Sequence, residues 1–321
     1  MSVLEIEALS VDAVDGTQAV PLLRGVDLTL SPGETLGLAG ESGSGKTLTG
    51  LAIMGLLPQP AVRMTQGTLR FQGQSLTTLS PKARQQLRGS AMAMIFQEPM
   101  TALNPVQRVG SQLAELYQIH RPNLSSSTIR QELIQGLANV GVSEPERRLT
   151  SYPHELSGGL RQRMMIAMAL ALKPSLLICD EPTTALDVTI QAQVLDLIRT
   201  LSREIGTAVL FITHDLGVLA ELADRVAVMY AGRIVEEQSV WDIFASPKHP
   251  YTQGLLRSIP RLDQSAQTRL AIIPGQVPQP TEPLSGCRFH PRCDQATALC
   301  RHTQPRMIDG AACHLFGEQT C

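Results

Sequence analysis

An α/β core interrupted by an all-helical insertion and followed by a small cysteine-rich extension is the fold the sequence predicts. Three observations carry that expectation. Strand-like apolar runs alternate with turns and helices up to Pro58 and again from Leu176 onward. Between residues 100 and 156 the apolar spacing is helical, with no run that reads as a strand. Beyond Pro260 the prolines crowd (Pro274, Pro278, Pro280, Pro283), and five of the six cysteines then fall within the last 35 residues.

Each element has a local reason. Residues 28–30, the turn Ser31-Pro32-Gly33-Glu34 and residues 35–39 are expected to form a hairpin feeding a buried strand. Residues 48–57 suit a helix stopped by Pro58. Inside the insertion, Thr128-x-x-Gln131 has capping-box spacing, and Leu133, Leu137 and Val140 follow at i, i+4 and i+7. Residues 164–172 form a nine-residue apolar run between Arg163 and Lys173, well short of the roughly 20 that cross a bilayer, so a buried helix is expected. A strand at 176–179, a helix from about Thr189 and a strand at 208–213 complete the alternation.

Composition narrows the class. Of the 321 residues 43% are hydrophobic, enough for a packed core rather than disorder. The formal net charge is −2, from 27 Lys+Arg against 29 Asp+Glu, which gives no general attraction for nucleic acid. The first residues, Met1-Ser2-Val3-Leu4-Glu5-Ile6, lack the basic start and unbroken apolar stretch of a secretory signal. The expectation is a chain soluble by itself in a reducing compartment, so the cysteine cluster is not a disulfide framework.

The chemistry is concentrated in short motifs. Gly40-Glu41-Ser42-Gly43-Ser44-Gly45-Lys46-Thr47 fits the phosphate-loop pattern G-x-x-x-x-G-K-[ST] at every fixed position, after an apolar strand and before a helix. Its glycines let backbone N–H groups turn inward around phosphate oxygens, and the helix N-terminus adds partial positive charge. Lys46 would reach the β- and γ-phosphates, and Thr47 would offer its hydroxyl to Mg²⁺. Leu176-Leu177-Ile178-Cys179-Asp180-Glu181 reads as a buried parallel strand ending in two carboxylates. In a phosphate-loop enzyme Asp180 would complete the Mg²⁺ shell and Glu181 would act as general base on water.

Leu156-Ser157-Gly158-Gly159-Leu160-Arg161-Gln162 resembles the signature sequence of ABC transporter ATPases. The remaining elements of that family follow in order. Phe96-Gln97-Glu98-Pro99 resembles the Q-loop, Thr184-Ala185-Leu186-Asp187 the D-loop and Ile212-Thr213-His214-Asp215 the switch region. The resemblance implies a phosphate-loop NTPase core of the RecA-like type with an antiparallel β subdomain. It also implies ATP as substrate and Mg²⁺ as cofactor. Gln97 would contact Mg²⁺ and water, His214 would bond the γ-phosphate, and Ser157, Gly158 and Gly159 would face ATP held by a second subunit, with Asp187 at the shared interface. The family's aromatic for adenine is missing, since no Phe, Tyr or Trp lies near Val11-Asp12-Ala13. Residues 1–260 are expected as the ATPase domain, with its helical subdomain at about 100–160. Residues 261–321 are expected as linker and cysteine-rich extension.

Glu98-Pro99-Met100-Thr101-Ala102-Leu103-Asn104-Pro105, the run Asp180 to Thr189, and Pro247-Lys248-His249-Pro250-Tyr251-Thr252 resemble the dipeptide, oligopeptide and nickel importer branch. That implies a peripheral subunit on the cytoplasmic face of the inner membrane. Its partners would be a second, paralogous ATPase, two transmembrane permease subunits and an extracytoplasmic solute-binding protein. Peptides are the expected cargo, with nickel, a metallophore or another small solute such as glutathione as the alternative and a soluble non-transport ABC ATPase as a distant one. The tail spacing Cys287-x5-Cys293-x6-Cys300-x12-Cys313 is neither a zinc-ribbon nor a ferredoxin pattern, and four thiolates suit Fe–S or zinc. The resemblance implies a structural [4Fe–4S] cluster, with Zn²⁺ or metal-free thiols as alternatives. Cys321 is expected to be a bystander and His290, His302 and His314 surface residues.

Overall fold

The computed structural model describes residues 2–15, 18–97, 103–183, 187–259 and 272–316. The strands are β1 (Leu4–Asp15), β2 (Gln18–Leu30), β3 (Thr35–Ala39), β4 (Val62–Phe71), β5 (Gln74–Ser75), β6 (Met92–Ile95), β7 (Leu176–Asp180), β8 (Ala208–Thr213), β9 (Arg225–Tyr230) and β10 (Arg233–Ser239). The helices are α1 (Lys46–Met54), α2 (Pro81–Leu87), α3 (Val109–His120), α4 (Ser126–Asn139), α5 (Pro145–Arg148) and α6 (Gly158–Leu170). After these come α7 (Val188–Ile205), α8 (Leu216–Leu222), α9 (Val240–Ala245), α10 (Pro250–Arg257) and α11 (Ala298–His302). Backbone contacts divide the chain into two units, one made mainly of Thr78–Leu210 and the other of Ser2–Leu30, Thr35–Thr77 and Phe211–Cys321. None of the described helices is long and apolar enough to cross a membrane.

In the unit that contains the N-terminal strands, an antiparallel sheet has the order β2-β1-β4-β5. A second set pairs β3 with β9 in parallel and β9 with β10 antiparallel. The expected hairpin is therefore corrected. Leu30 pairs with Leu4 of β1, whereas Leu36 pairs with Arg225 of β9, so the turn at 31–34 carries the chain from one sheet to the other. Polar alternation suits β2 to a half-solvated ribbon, but Leu36, Leu38 and Ala39 are all buried and need cover on both faces. The end of α1 is corrected too. Gly55 adopts a left-handed conformation and donates to Ala52, while Leu56 N–H donates to Leu51 O (2.8 Å), so the helix closes before Pro58.

In the other unit β6 and β7 run parallel, and every residue of β7 is buried. The described residues from 103 to 156 hold helices and turns. Leu133 and Leu137 are buried on α4 as their spacing predicts, and Val140 follows at 1% exposure. The cap of α4 is Ser125, whose Oγ accepts from Thr128 N–H (3.1 Å), not Thr128 itself.

The tail is built onto β10. Glu237 N–H donates to Gly310 O and Ala312 N–H to Val235 O, both at 2.8 Å. Glu236 is fully buried, and its carboxylate accepts the backbone N–H groups of Lys248 (2.7 Å) and His249 (2.9 Å). His249 in turn caps α10, with Nδ1 accepting from Tyr251 N–H at 3.0 Å, which requires an unprotonated nitrogen. Burial holds the His249 pKa down at about 4.

A histidine kept neutral in the folded state contributes its full stability above its unfolded pKa. That contribution is lost as pH falls from about 6.5 to about 4, because only the unfolded chain takes up the proton there. The shift corresponds to about 3 kcal/mol. In His249→Asn the amide oxygen can still accept from Tyr251 N–H, so denaturant midpoints should fall less steeply than wild type over this pH window. Parallel slopes for the two proteins would show that His249 does not carry the effect.

Candidate nucleotide site and a cysteine-lined cavity

Between β3 and α1 the backbone turns through Gly40 at φ 150°, Gly43 at 77° and Gly45 at 110°. Gly40 is obligatory, since a Cβ there would lie 2.2 Å from the carbonyl oxygen of Met229. Lys46, 6% exposed, donates from Nζ to Gly40 O (2.8 Å) and Glu41 O (3.0 Å), curling back over the loop. No side chain caps the α1 N-terminus, where Gly45 is the cap residue, and Thr47 is exposed on the first turn. Ser44 Oγ is buried without a hydrogen-bond partner, while Ser44 O accepts from Gly232 N–H (2.8 Å). A helix N-terminus, an ammonium and an orphaned hydroxyl on one loop are chemically suited to phosphate oxygens. Ser42 and Gly43 lie exposed at the tip. Glu41 differs from the rest, because its carboxylate is bonded to Arg292 and only its backbone belongs to the loop. His214, also in this unit, is exposed just after β8.

The other unit assembles the acidic residues. Asp180 ends β7 at 2% exposure, and Glu181 follows with φ 47°, a left-handed conformation that glutamate rarely adopts. Gln97 Nε2 donates to Glu181 Oε2 at 3.2 Å, so two of the expected site residues meet across 84 positions of sequence. Gln162, fully buried on α6, donates to Pro182 O (2.7 Å) and holds the turn behind Glu181. Ser157 caps α6, accepting from Leu160 N–H, and Gly158 and Gly159 open that helix. A Cβ on Gly159 would come 3.5 Å from Ile190, whose N–H donates to Asp187, the cap of α7. Glu98, Pro99, Met100, Thr101, Ala102, Thr184, Ala185, Leu186 and Cys321 lie outside the described residues.

Cys287, Cys293, Cys300 and Cys313 line one small cavity together with Phe289 and His249, and none of the four is in a disulfide. Burial, helped by the neighbouring thiols, pushes Cys287 up to about 11; burial also raises Cys293 and Cys313. His290 and His314 are corrected from surface residues to lining residues. His290 Nδ1 lies 2.8 Å from Cys287 O and His314 Nε2 2.9 Å from Thr303 O, while His302 is exposed as expected. Among the described residues no group of three or more His, Cys, Asp or Glu side chains closes around a point as a single metal ion requires.

Comparison with known proteins matches residues 23–184 to the ABC transporter family. The chain belongs to that family. Residues 235–300 match the oligopeptide/dipeptide transporter C-terminal region. The probable peptide ABC transporter ATP-binding protein y4tR of Sinorhizobium fredii is 53% identical over 88% of this chain and 84% of its own length. The oligopeptide transport ATP-binding protein OppD of Bacillus subtilis is 47% identical, over 97% of this chain and 87% of that one. The chain spans only half the length of the Mycobacterium tuberculosis OppD that it matches at 46% identity over 97% of its own residues. A dimeric post-hydrolysis structure of the ATP-binding cassette MJ0796, bound to ADP and Pi, superposes with a TM-score of 0.66. Identity there is 25%, over 74% of this chain and 98% of that one.

Beyond the expected site residues, three side chains shape these loops: Gln162, Tyr251 and Arg292. No local signal marks Gln162 as buried, since it stands between Arg161 and Arg163. Nothing local marks Arg292, because its carboxylate partner lies 251 positions away.

Proposed function

We propose that this ABC protein is the ATP-hydrolysing subunit of a membrane importer for di- or oligopeptides. The phosphate loop, with Lys46 over it and Ser44 Oγ orphaned inside it, is the observation that carries the ATP reading. The match of residues 235–300 to the oligopeptide/dipeptide transporter region, and the peptide-transport names of its relatives, support the cargo class. Residues 1–260 form the ATPase domain in this reading, and residues 261–321 form the linker and extension.

The roles follow from side-chain chemistry. The loop N–H groups of Gly40, Glu41, Ser42, Gly43, Ser44 and Gly45 surround phosphate oxygens, and Lys46 offsets the charge of the β- and γ-phosphates. Thr47, Asp180 and Gln97 are the hard oxygen donors suited to Mg²⁺, which when bound neutralises charge on the phosphates. Glu181 takes the proton of the attacking water, and Gln97, bonded to it, orients that carboxylate. His214 donates to the γ-phosphate. Ser157, Gly158 and Gly159 offer a second helix N-terminus to ATP held by a paralogous subunit, with Asp187 at the interface. Two permease subunits and an extracytoplasmic binding protein complete the assembly, and the chain sits peripherally on the cytoplasmic face of the inner membrane.

For the extension, the reading is a structural [4Fe–4S] cluster on Cys287, Cys293, Cys300 and Cys313. The support is four soft donors, Cys287, Cys293, Cys300 and Cys313, lining one cavity, a set whose thiolates suit iron–sulfur chemistry, with Zn²⁺ as the alternative. No step of ATP hydrolysis runs through it.

Three measurements test this reading. Glu181→Gln should lower ATP turnover by about 10²-fold or more while ATP still binds, whereas Lys46→Ala should lose ATP binding. Turnover at the wild-type rate in Glu181→Gln would remove Glu181 as the base. Deleting the gene should abolish uptake of a labelled tripeptide and spare labelled nickel; the reverse pattern would move the system to the metal branch. Protein purified without oxygen should carry roughly four iron and four sulfide per chain, lost in Cys293→Ser and kept in Cys321→Ser. Stoichiometric zinc with no iron would overturn the cluster.

A further inference from the structure

Glu41 is held from three sides. Its carbonyl accepts from Lys46 Nζ (3.0 Å), its N–H donates to Tyr251 Oη (2.9 Å), and its carboxylate receives both terminal nitrogens of Arg292 (2.6 and 3.0 Å). Arg292 adjoins Cys293 and its side chain is 4% exposed. Its remaining donors are also engaged: Nε with Pro274 O (3.0 Å), Nη2 with Ile273 O (3.3 Å) and Nη1 with Tyr230 Oη (3.4 Å). Only a planar guanidinium can serve these acceptors together, since a lysine ammonium offers a point charge without the fork.

Behind this fork lies a packed path to the thiols. Tyr230 meets Tyr251 with ring centroids 4.6 Å apart, and Phe289 sits 5.2 Å from Tyr230 and 5.4 Å from Tyr251. Phe289 is also a wall of the cavity that the four cysteines line. Glutamate is otherwise an adverse residue in a phosphate-binding loop, because a loose carboxylate there repels the polyphosphate. The Arg292 fork neutralises that charge and turns it away from the loop.

We propose that Arg292 is a positioning residue for the phosphate loop, so that ATP affinity depends on the cysteine-rich extension being seated against Glu41. The inference rests on the reading of residues 40–47 as an ATP site. When the extension lets go, the Glu41 carboxylate is released and the loop loses one of its anchors. By reciprocity of linked equilibria, bound ATP must tighten the extension by the same factor.

The test uses the full-length protein with its native cysteine loading and follows Mg-ATP binding and amide hydrogen exchange of residues 272–316. Arg292→Met should weaken ATP binding roughly tenfold, within the usual range for coupled sites, and raise KM more than it lowers kcat. Arg292→Lys should recover only part of the loss. In a Glu41→Gln background the same Arg292→Met change should have little further effect, because the charge it neutralises is gone. ATP should slow exchange of residues 272–316 in the wild type but not in Glu41→Gln, a variant on a partly exposed loop side chain that stays measurable if Arg292→Met fails to fold. Wild-type ATP affinity in Arg292→Met, additive effects of the two substitutions, or unchanged ATP-dependent protection in Glu41→Gln would each overturn the proposal. A wild-type protein that does not bind ATP would instead overturn the ATP reading itself.

Discussion

A loop that must present its own backbone N–H groups to phosphate oxygens sets the terms for everything packed around it. Such a loop cannot satisfy itself by secondary structure, so its shape has to be imposed by neighbours. Here β9 runs parallel to β3 with Ala39 opposite Val228, which brings the Met229 carbonyl to where any side chain on residue 40 would be. Gly232, in the turn after β9, donates to Ser44 O and fixes the far side. The loop is thus cast against one strand and one turn, and Gly40 is the residue that the cast leaves no room to replace, whereas Gly43 has open space and is required by its positive φ.

The same ribbon organises the C-terminal extension. Residues 310–312 hydrogen-bond to β10, and Glu236 spends a fully buried carboxylate on the backbone of 248 and 249. A buried carboxylate is tolerable only when its acceptor capacity is met, and two N–H groups and the Gln238 amide meet it here. That arrangement starts α10 at Pro250 and delivers Tyr251 to the loop from below. The extension and the phosphate loop are in this sense two products of one β9–β10 ribbon. Their contact through Arg292 follows from that shared support rather than from any feature of the tail alone.

What the sequence disclosed follows from where information is stored. The loop 40–47, the buried strand at 176–180 and the Ser157 cap are contiguous, so spacing and residue type suffice to find them. The elements that went astray turn on choices among near-equal local options. Thr128 and Ser125 both offer a hydroxyl to the start of α4, and it is Ser125 whose Oγ accepts the Thr128 N–H. Gly55 and Pro58 both stop helices, and the left-handed glycine acts first. The turn at 31–34 has hairpin residues, but whether its flanking strands pair with each other depends on β1 and β9, which lie elsewhere in the chain. His290 and His314 looked like surface residues because only the folded tail places them beside the thiols. Arg292 is the limiting case, an arginine in a proline-rich tail whose meaning is set by one carboxylate 251 positions away in the chain.

Gly40 and Glu181 pose opposite problems, and the contrast separates backbone chemistry from side-chain chemistry. At Gly40 the conformation excludes a side chain, and the sequence has none, so local preference and fold agree. At Glu181 the conformation, with φ 47°, would suit glycine or asparagine, yet the sequence places a glutamate there. Left-handed backbone at such a residue costs on the order of 1 kcal/mol or more. It persists because Gln162 pins the Pro182 carbonyl immediately behind it and Gln97 holds the carboxylate in front. A conflict between local preference and fold that is braced on both sides marks a place where the side chain itself is needed. For a strand end that also carries the buried Asp180, the need is for a carboxylate aimed in a direction that an ordinary strand exit would not give. The two neighbouring acids thereby differ in exposure, Asp180 being buried and Glu181 partly open, which suits the two different roles proposed for them.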